Sequence, residues 1–253
     1  MAIDLDDRQR AMLQEMGVRV WLPGTAFEPP AAPVVAAPMA KPAALPVTQA
    51  VLTDVAALDW QALADAAAQC QACGLCAGRK NSTLNVLAAP AQADWMVVGD
   101  PPDEDEDRSA APFVDQSGIL LDNMLKAVGA SRTGTGAAGA YLANVVKCRP
   151  PHGRIPQVPD LAQCAAFLNR EIALVQPKMI LAMGRFANQL LLSEQAELAN
   201  LPLGKLRGTV YRYRGIPVVV TYHPKVLLRA SADKAKAWAD LCLAMQTLQV
   251  SVQ

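Results

Sequence analysis

The chain has no stretch long and apolar enough to cross a bilayer, which excludes a helical membrane protein. It has no cationic, apolar-cored leader. Asp4, Asp6 and Asp7 stand where a secretory signal would carry basic residues, so no signal peptide is expected and a cytoplasmic setting is. Without an oxidising compartment, disulfides are not expected from the six cysteines; metal ligation, a cluster or simple packing is the better default. There is no internal repeat, so a solenoid is excluded. The formal net charge is zero, which on the average alone argues against nucleic acid.

The average hides a gradient. Arg132 to Lys236 holds fifteen Lys or Arg against five Asp or Glu, a net of +10, while much of the acid lies in one run from Asp100 to Asp107. A basic half of this kind can face phosphate, although a solvated surface has the same signature.

Three regions follow from composition. Residues 1–22 carry a short apolar patch (Met12, Leu13, Met16, Val18, Val20, Trp21), too small for a core, that reads as a docking segment. Residues 23–53 are rich in Pro and Ala, the composition of a semi-stiff linker. Residues 54–253 form the main domain. Within it, apolar runs at 94–99, 141–146, 178–183 and 217–222 alternate with helical stretches at 59–69, 119–128, 160–175, 184–192 and 233–248. In the last helix Trp238, Leu241, Cys242 and Met245 are expected to pack inward. Strands alternating with helices predict a three-layer α/β/α fold around a four-stranded parallel sheet. The acidic run 99–107 reads as a loop, 131–139 as a mobile Gly-rich loop and 207–215 as a hairpin-like ribbon.

The cysteines fall into two distant pairs. Cys70 and Cys73 form C-x-x-C, Cys148 and Cys164 are far apart in sequence, Cys76 shares the first turn, and Cys242 lies on an apolar helix face. A [4Fe–4S] cluster, zinc, or unligated packing are all compatible with this spacing, though a zinc ribbon would prefer a second C-x-x-C.

The stretch Tyr141–Cys164 concentrates chemistry at one strand end. Asn144 is a polar residue in an apolar run, and it needs partners if buried. Lys147, Cys148 and Arg149 follow, and Pro150-Pro151 end the strand. In open α/β sheets, ligands sit at strand carboxyl ends.

In order along the chain stand C-x-x-C at 70–73, GDPPDEDED at 99–107, PFV at 112–114, N-x-x-K-C-R-P-P at 144–151, Cys164, and Y-H-P-x-x-L-L-R at 222–229. With these landmarks the chain resembles the type-4, iron–sulfur group of uracil-DNA glycosylases over residues 65–245. The resemblance implies excision of uracil from DNA and a [4Fe–4S] cluster on Cys70, Cys73, Cys148 and Cys164. On that footing Phe113 is the base-stacking face. Asn144 reads the O4 and N3–H edge of uracil with an amide that can both donate and accept. His223 stabilises the leaving anion at O2. Asp100 orients the water or its own loop. Arg149, Arg154, Lys225 and Arg229 meet DNA phosphates, and the apolar residues of 225–229 form a wedge for the vacated stack. A monomer acting at the nucleoid is expected.

The segment 4–22 is similar to the N-terminal peptide of the bacterial clamp-loader psi subunit, through Leu13, Gly17, Val18 and Trp21. That implies a replication partner, the chi subunit. Several pocket residues depart from the glycosylase pattern. The first active loop there is Gly-Glu-x-Pro-Gly, here Gly99-Asp100-Pro101-Pro102-Asp103. Glycines become Ala110 and Asp115, and His-Pro-Ala-Tyr becomes His223-Pro224-Lys225-Val226. Two functions are therefore expected as alternatives: a uracil-DNA glycosylase, or a glycosylase-like DNA-binding module with weakened turnover, tethered by its N-terminal segment.

Overall fold

The computed structural model describes residues 55–84 and 92–250; the expected docking segment and the linker lie outside them. The elements in order are α1 (Trp60–Gln69), β1 (Ala93–Gly99), α2 (Glu104–Ser109), α3 (Asp115–Ala127), β2 (Gly136–Asn144), α4 (Val158–Val175), β3 (Met179–Met183), α5 (Arg185–Leu191), α6 (Ala196–Ala199), α7 (Leu203–Leu206), β4 (Val210–Tyr213), β5 (Ile216–Thr221), α8 (Pro224–Arg229) and α9 (Lys234–Val250).

The strand order is β2-β1-β3-β5-β4. The first four run parallel, as expected, and β4 adds an antiparallel edge to β5. The ribbon at 207–215 is thus the edge strand and its turn, giving five strands where four were expected. Strand residues alternate between two apolar layers. Met96, Val98, Ile180, Ala182, Val218 and Val220 face the layer containing α1 and α4. Trp95, Val97, Met179, Leu181 and Val219 face that of α3 and α9. Each large apolar side chain fully buried this way stabilises by about 1.5–3 kcal/mol.

The register positions everything that follows. Gly99 pairs with Asn144 on one side and Met183 on the other, and Met183 pairs with Thr221. The four strand ends therefore form one row. β1 is flanked by the strands that follow it in both directions, so the order reverses there. Such a switch point opens a crevice at the carboxyl edge. Asp100 and His223 emerge beside it.

Local differences from the sequence reading have local causes. The run 103–109 is helical because Asp103 caps it, accepting from Asp105 N and Glu106 N, while Glu106 reaches back to Asp103 N. Four acidic residues in its first turn then face the positive end of the helix dipole. Strand β2 starts at Gly136, inside the expected loop. Helix α4 is capped by Gln157, and Asp160 is the N3 partner of that cap. Trp238 is 46% exposed, because the stripe facing the sheet is Ala237, Leu241 and Ala244. Its expected inward packing is therefore corrected.

Ala110 ends α2 with φ 52, and Asp115 opens α3 with φ 63. Both stand where the resembled pattern has glycine, and the left-handed region strains a side chain. Ala110→Gly is expected to raise stability by about 1 kcal/mol, seen as a higher urea midpoint at constant slope. Asp115→Gly should gain less, since Asp tolerates this region better than Ala.

Candidate active site

Asn144 is the last residue of β2 and is almost fully buried. Its Nδ2 donates to Asp100 O at 2.9 Å and to Glu106 Oε1 at 3.3 Å. Its Oδ1 has no partner among the described residues. The amide expected to read a base with both ends thus has only its acceptor left. Asp100 O is a carbonyl and can only accept, so this orientation follows from the partners themselves.

Glu106 is the hub that sequence reading missed. It is fully buried. Oε1 also accepts from Phe113 N at 2.7 Å, and Oε2 accepts from Asp103 N and from Lys225 Nζ, each at 3.0 Å. In the sequence it is one acid among five and looks solvated. The D-x-x-E capping spacing from Asp103 was the only signal that singled it out.

Phe113 is fully buried at φ 51. This backbone turn carries its ring inward, onto Gly99 and the α3/α9 layer. A Cβ on Gly99 would lie 2.4 Å from the ring, so only glycine leaves room. The ring stacks on the His223 imidazole, with centroids 5.2 Å apart and planes 15° apart.

His223 caps α8, and its Nδ1 accepts from Lys225 N at 3.2 Å. The proton of the neutral ring is therefore on Nε2. Burial, with Lys225 beside it, pushes the imidazole down to about 3 against an ordinary 6.5, while Asp103 pulls the other way. The unfolded chain protonates this residue near 6.5; the folded chain does not until about 3. Stability attributable to His223 is therefore complete above pH 6.5. It falls below that by up to about 1.4 kcal/mol per pH unit. His223→Gln should flatten the acid limb of a stability–pH profile measured by urea unfolding.

Asp100 lies between the strand ends and α5. Its Oδ1 accepts from Phe186 N at 2.8 Å. Burial raises its carboxyl above the usual range, opposed by the amides of Phe186, Ala187 and Arg185. Gly184 has φ 106, and a Cβ there would meet the carboxylate at 2.1 Å. The placement makes Asp100 a loop anchor. Asp103 has φ −91 and caps α2, so this position has no need of glycine here.

Three of the four expected phosphate-binding cations are already paired. Arg149 contacts Glu104 at 3.2 Å, Arg154 pairs with Asp160, and Lys225 bridges Asp103 at 2.6 Å and Glu106. Arg229 is exposed, with no ion pair among the described residues. Lys147 is buried, pairs with Glu171 and donates to Asn144 O at 2.8 Å, so it supports the site from inside.

Cys70, Cys73, Cys76, Cys148 and Cys164 line one pocket on the α1/α4 side. Cys242 is elsewhere, on α9. Arg79 Nη1 donates to Cys148 Sγ at 3.2 Å, and Lys147 N to Cys164 Sγ at 3.4 Å. Burial pushes the Cys148 thiol up to about 11 against the pull of Arg79, and Cys164 up to about 12 against that of Lys147. No three His, Cys, Asp or Glu side chains among the described residues are grouped closely enough for a single metal ion. Asp107 ties this turn to α2, accepting from Lys80 N at 2.9 Å and Asn81 N at 3.1 Å.

Residues 87–242 match the family model described as Uracil DNA glycosylase superfamily. A type-4 uracil-DNA glycosylase of Pyrobaculum aerophilum is 32% identical over 194 residues, covering 74% of this chain and 93% of that protein. One from Thermotoga maritima is 33% identical over 171 residues, covering 66% and 82%. One from Archaeoglobus fulgidus is 31% identical over 173 residues, covering 66% and 84%.

Proposed function

From the chain's membership of the uracil DNA glycosylase superfamily, we propose that it is a uracil-DNA glycosylase of DNA repair, hydrolysing the N-glycosidic bond of uracil in DNA. The observation that carries this reading beyond kinship is the presence, at one sheet edge, of a buried acceptor on Asn144 with no partner among the described residues and of a neutral imidazole on His223. A duplex hides the glycosidic bond, so the base must leave the stack and enter the protein. Asn144 Oδ1 then accepts from the N3–H of uracil. Cytosine has a lone pair at N3 and would face oxygen against lone pair.

The reaction breaks the bond between N1 and C1′. Its electron pair leaves with the base, the hydroxyl of water joins C1′, and the water's second proton goes to solvent or to the released base. Negative charge grows on uracil O2 as the bond breaks. His223 Nε2–H donates there, and in a dry site such a donor is worth more than in water. Because the imidazole is neutral, no proton has to be lost or gained before it acts. Phe113 supplies the stacking face. His223, which covers that ring in the free protein, moves edge-on as the base enters. Asp100, held on the amides of α5, fixes the loop that supplies the carbonyl under Asn144.

The pocket lined by these thiols supports a [4Fe–4S] cluster on Cys70, Cys73, Cys148 and Cys164. The donors fit: the Cys73, Cys148 and Cys164 thiols are costly to deprotonate without a positive partner, and two N–H groups already point at sulfur. The group would crosslink the turn at 70–76 to the loop 148–164 and so hold Arg149 and Arg154 at the DNA side. Phosphates would have to draw those cations from Glu104 and Asp160, which makes binding salt-sensitive.

Two measurements test this reading. Protein isolated without air should contain iron and acid-labile sulfide in equal amounts; zinc alone would remove the cluster. A labelled strand carrying one uracil should become alkali-labile at that position after incubation, and an unchanged strand would remove the activity.

A further inference from the structure

We propose that Glu106 fixes which end of the Asn144 amide faces the base, and so sets the pocket to accept a ring N–H. The inference deepens the excision reading, on which it rests for the identity of the base. Glu106 does not touch the base; it is a positioning residue.

Two groups converge on the Asn144 nitrogen, the Asp100 carbonyl at 2.9 Å and Glu106 Oε1 at 3.3 Å. Neither can donate while Glu106 is ionised. Together they take both amide hydrogens. Turning the amide over would set Oδ1 against two acceptors in a buried place, where such a mismatch is costly. Only Oδ1 is left for a ligand, and it has no partner among the described residues. The amide therefore presents one acceptor to any base that enters.

The rest of the network presents only donors to Glu106. Lys225 Nζ lies 3.0 Å from Oε2 and compensates the buried charge. The Phe113 amide at 2.7 Å and the Asp103 amide at 3.0 Å fix the plane of the carboxylate. One carboxylate thus sets both the backbone of the aromatic at 113 and the polarity of the reading amide. Uracil and thymine meet the resulting acceptor with N3–H. Cytosine cannot.

Glu106→Gln keeps the shape and removes one of the two acceptors, because its own NH2 can face Asn144, which leaves the Asp100 carbonyl as the one group opposing a turned amide. The full chain, with its native metal content, is titrated with single strands carrying one 2′-fluoro-2′-deoxyuridine or 2′-fluoro-2′-deoxycytidine. The fluorine slows hydrolysis, so binding is read without turnover, and single strands remove differences in pairing. The native protein should prefer the uracil strand by about tenfold or more. In Glu106→Gln that ratio should fall at least about fivefold. Glu106→Asp, still an acceptor, should keep the preference even if both affinities drop. A merely structural role would lower the melting temperature and weaken both strands equally, leaving the ratio of Glu106→Gln at the native value; that result overturns the proposal. No uracil preference in the native protein overturns it as well. A companion turnover assay separates the two claims. Absence of excision with a ratio that responds to Glu106 refutes the activity alone. Excision with an unresponsive ratio refutes the role of Glu106 alone.

Discussion

Asn144→Ala should slow single-turnover release of uracil by about a hundred- to a thousandfold. The side chain ends β2 in the strand-end row, is buried, and has an acceptor without a partner among the described residues. The loss should fall on the rate of the bound complex more than on the affinity for uracil-free DNA, because the cations proposed to meet phosphate lie elsewhere. Removing the amide also leaves Glu106 Oε1 with one donor fewer, so some stability is lost too. A urea titration of the variant separates the two effects: a folded protein with normal affinity for uracil-free DNA and slow release is the expected outcome. A rate within a few-fold of native would mean that another group reads the base.

The second large effect concerns stability. Lys147 and Glu171 are an ion pair with side chains only 2% and 1% exposed. Glu171 also accepts from Tyr141 OH at 2.7 Å. Burial, and then the charge of Glu171, holds the Tyr141 hydroxyl well above its usual range, so it stays a donor. Glu171→Leu should cost about 3–5 kcal/mol, since it strands a buried ammonium. Adding Lys147→Met should recover most of that loss, because the double change removes both charges and fills the same space. The lysine further donates to Asn144 O, and its amide to Cys164 Sγ. The single variant should therefore also lose the iron of the proposed cluster faster on exposure to a chelator. Equal stability in single and double variants would contradict the pair's role.

The sheet was legible because its strands are uniform apolar runs, and the thiol pocket because cysteine is sparse and its spacing distinctive. Asn144 stood out as a lone amide in an apolar strand. What composition hid was direction. Phe113 lies in a Pro-Phe-Val segment that reads as an exposed loop, yet a single left-handed residue turns the ring into the core. Lys147 and Arg149 look alike on paper, two residues apart. The first points between β2 and α4 and meets Glu171, and the second points out and meets Glu104. Glu106 is masked by its acidic neighbours, whose charge suggests solvent. Its burial depends on partners from β2, the 113 segment and α8, distant in the chain. The one-sided state of Asn144 is of the same kind, because it is set by a carbonyl and a carboxylate from two other segments.

The most direct measurement is a single-turnover panel at neutral pH, with excess protein and otherwise identical strands carrying uracil, thymine or cytosine at one position. Release of free uracil with the sugar–phosphate chain intact, and no release of cytosine, is the predicted result. No freed base from the uracil strand at any protein excess, or cytosine released as readily as uracil, would contradict the account.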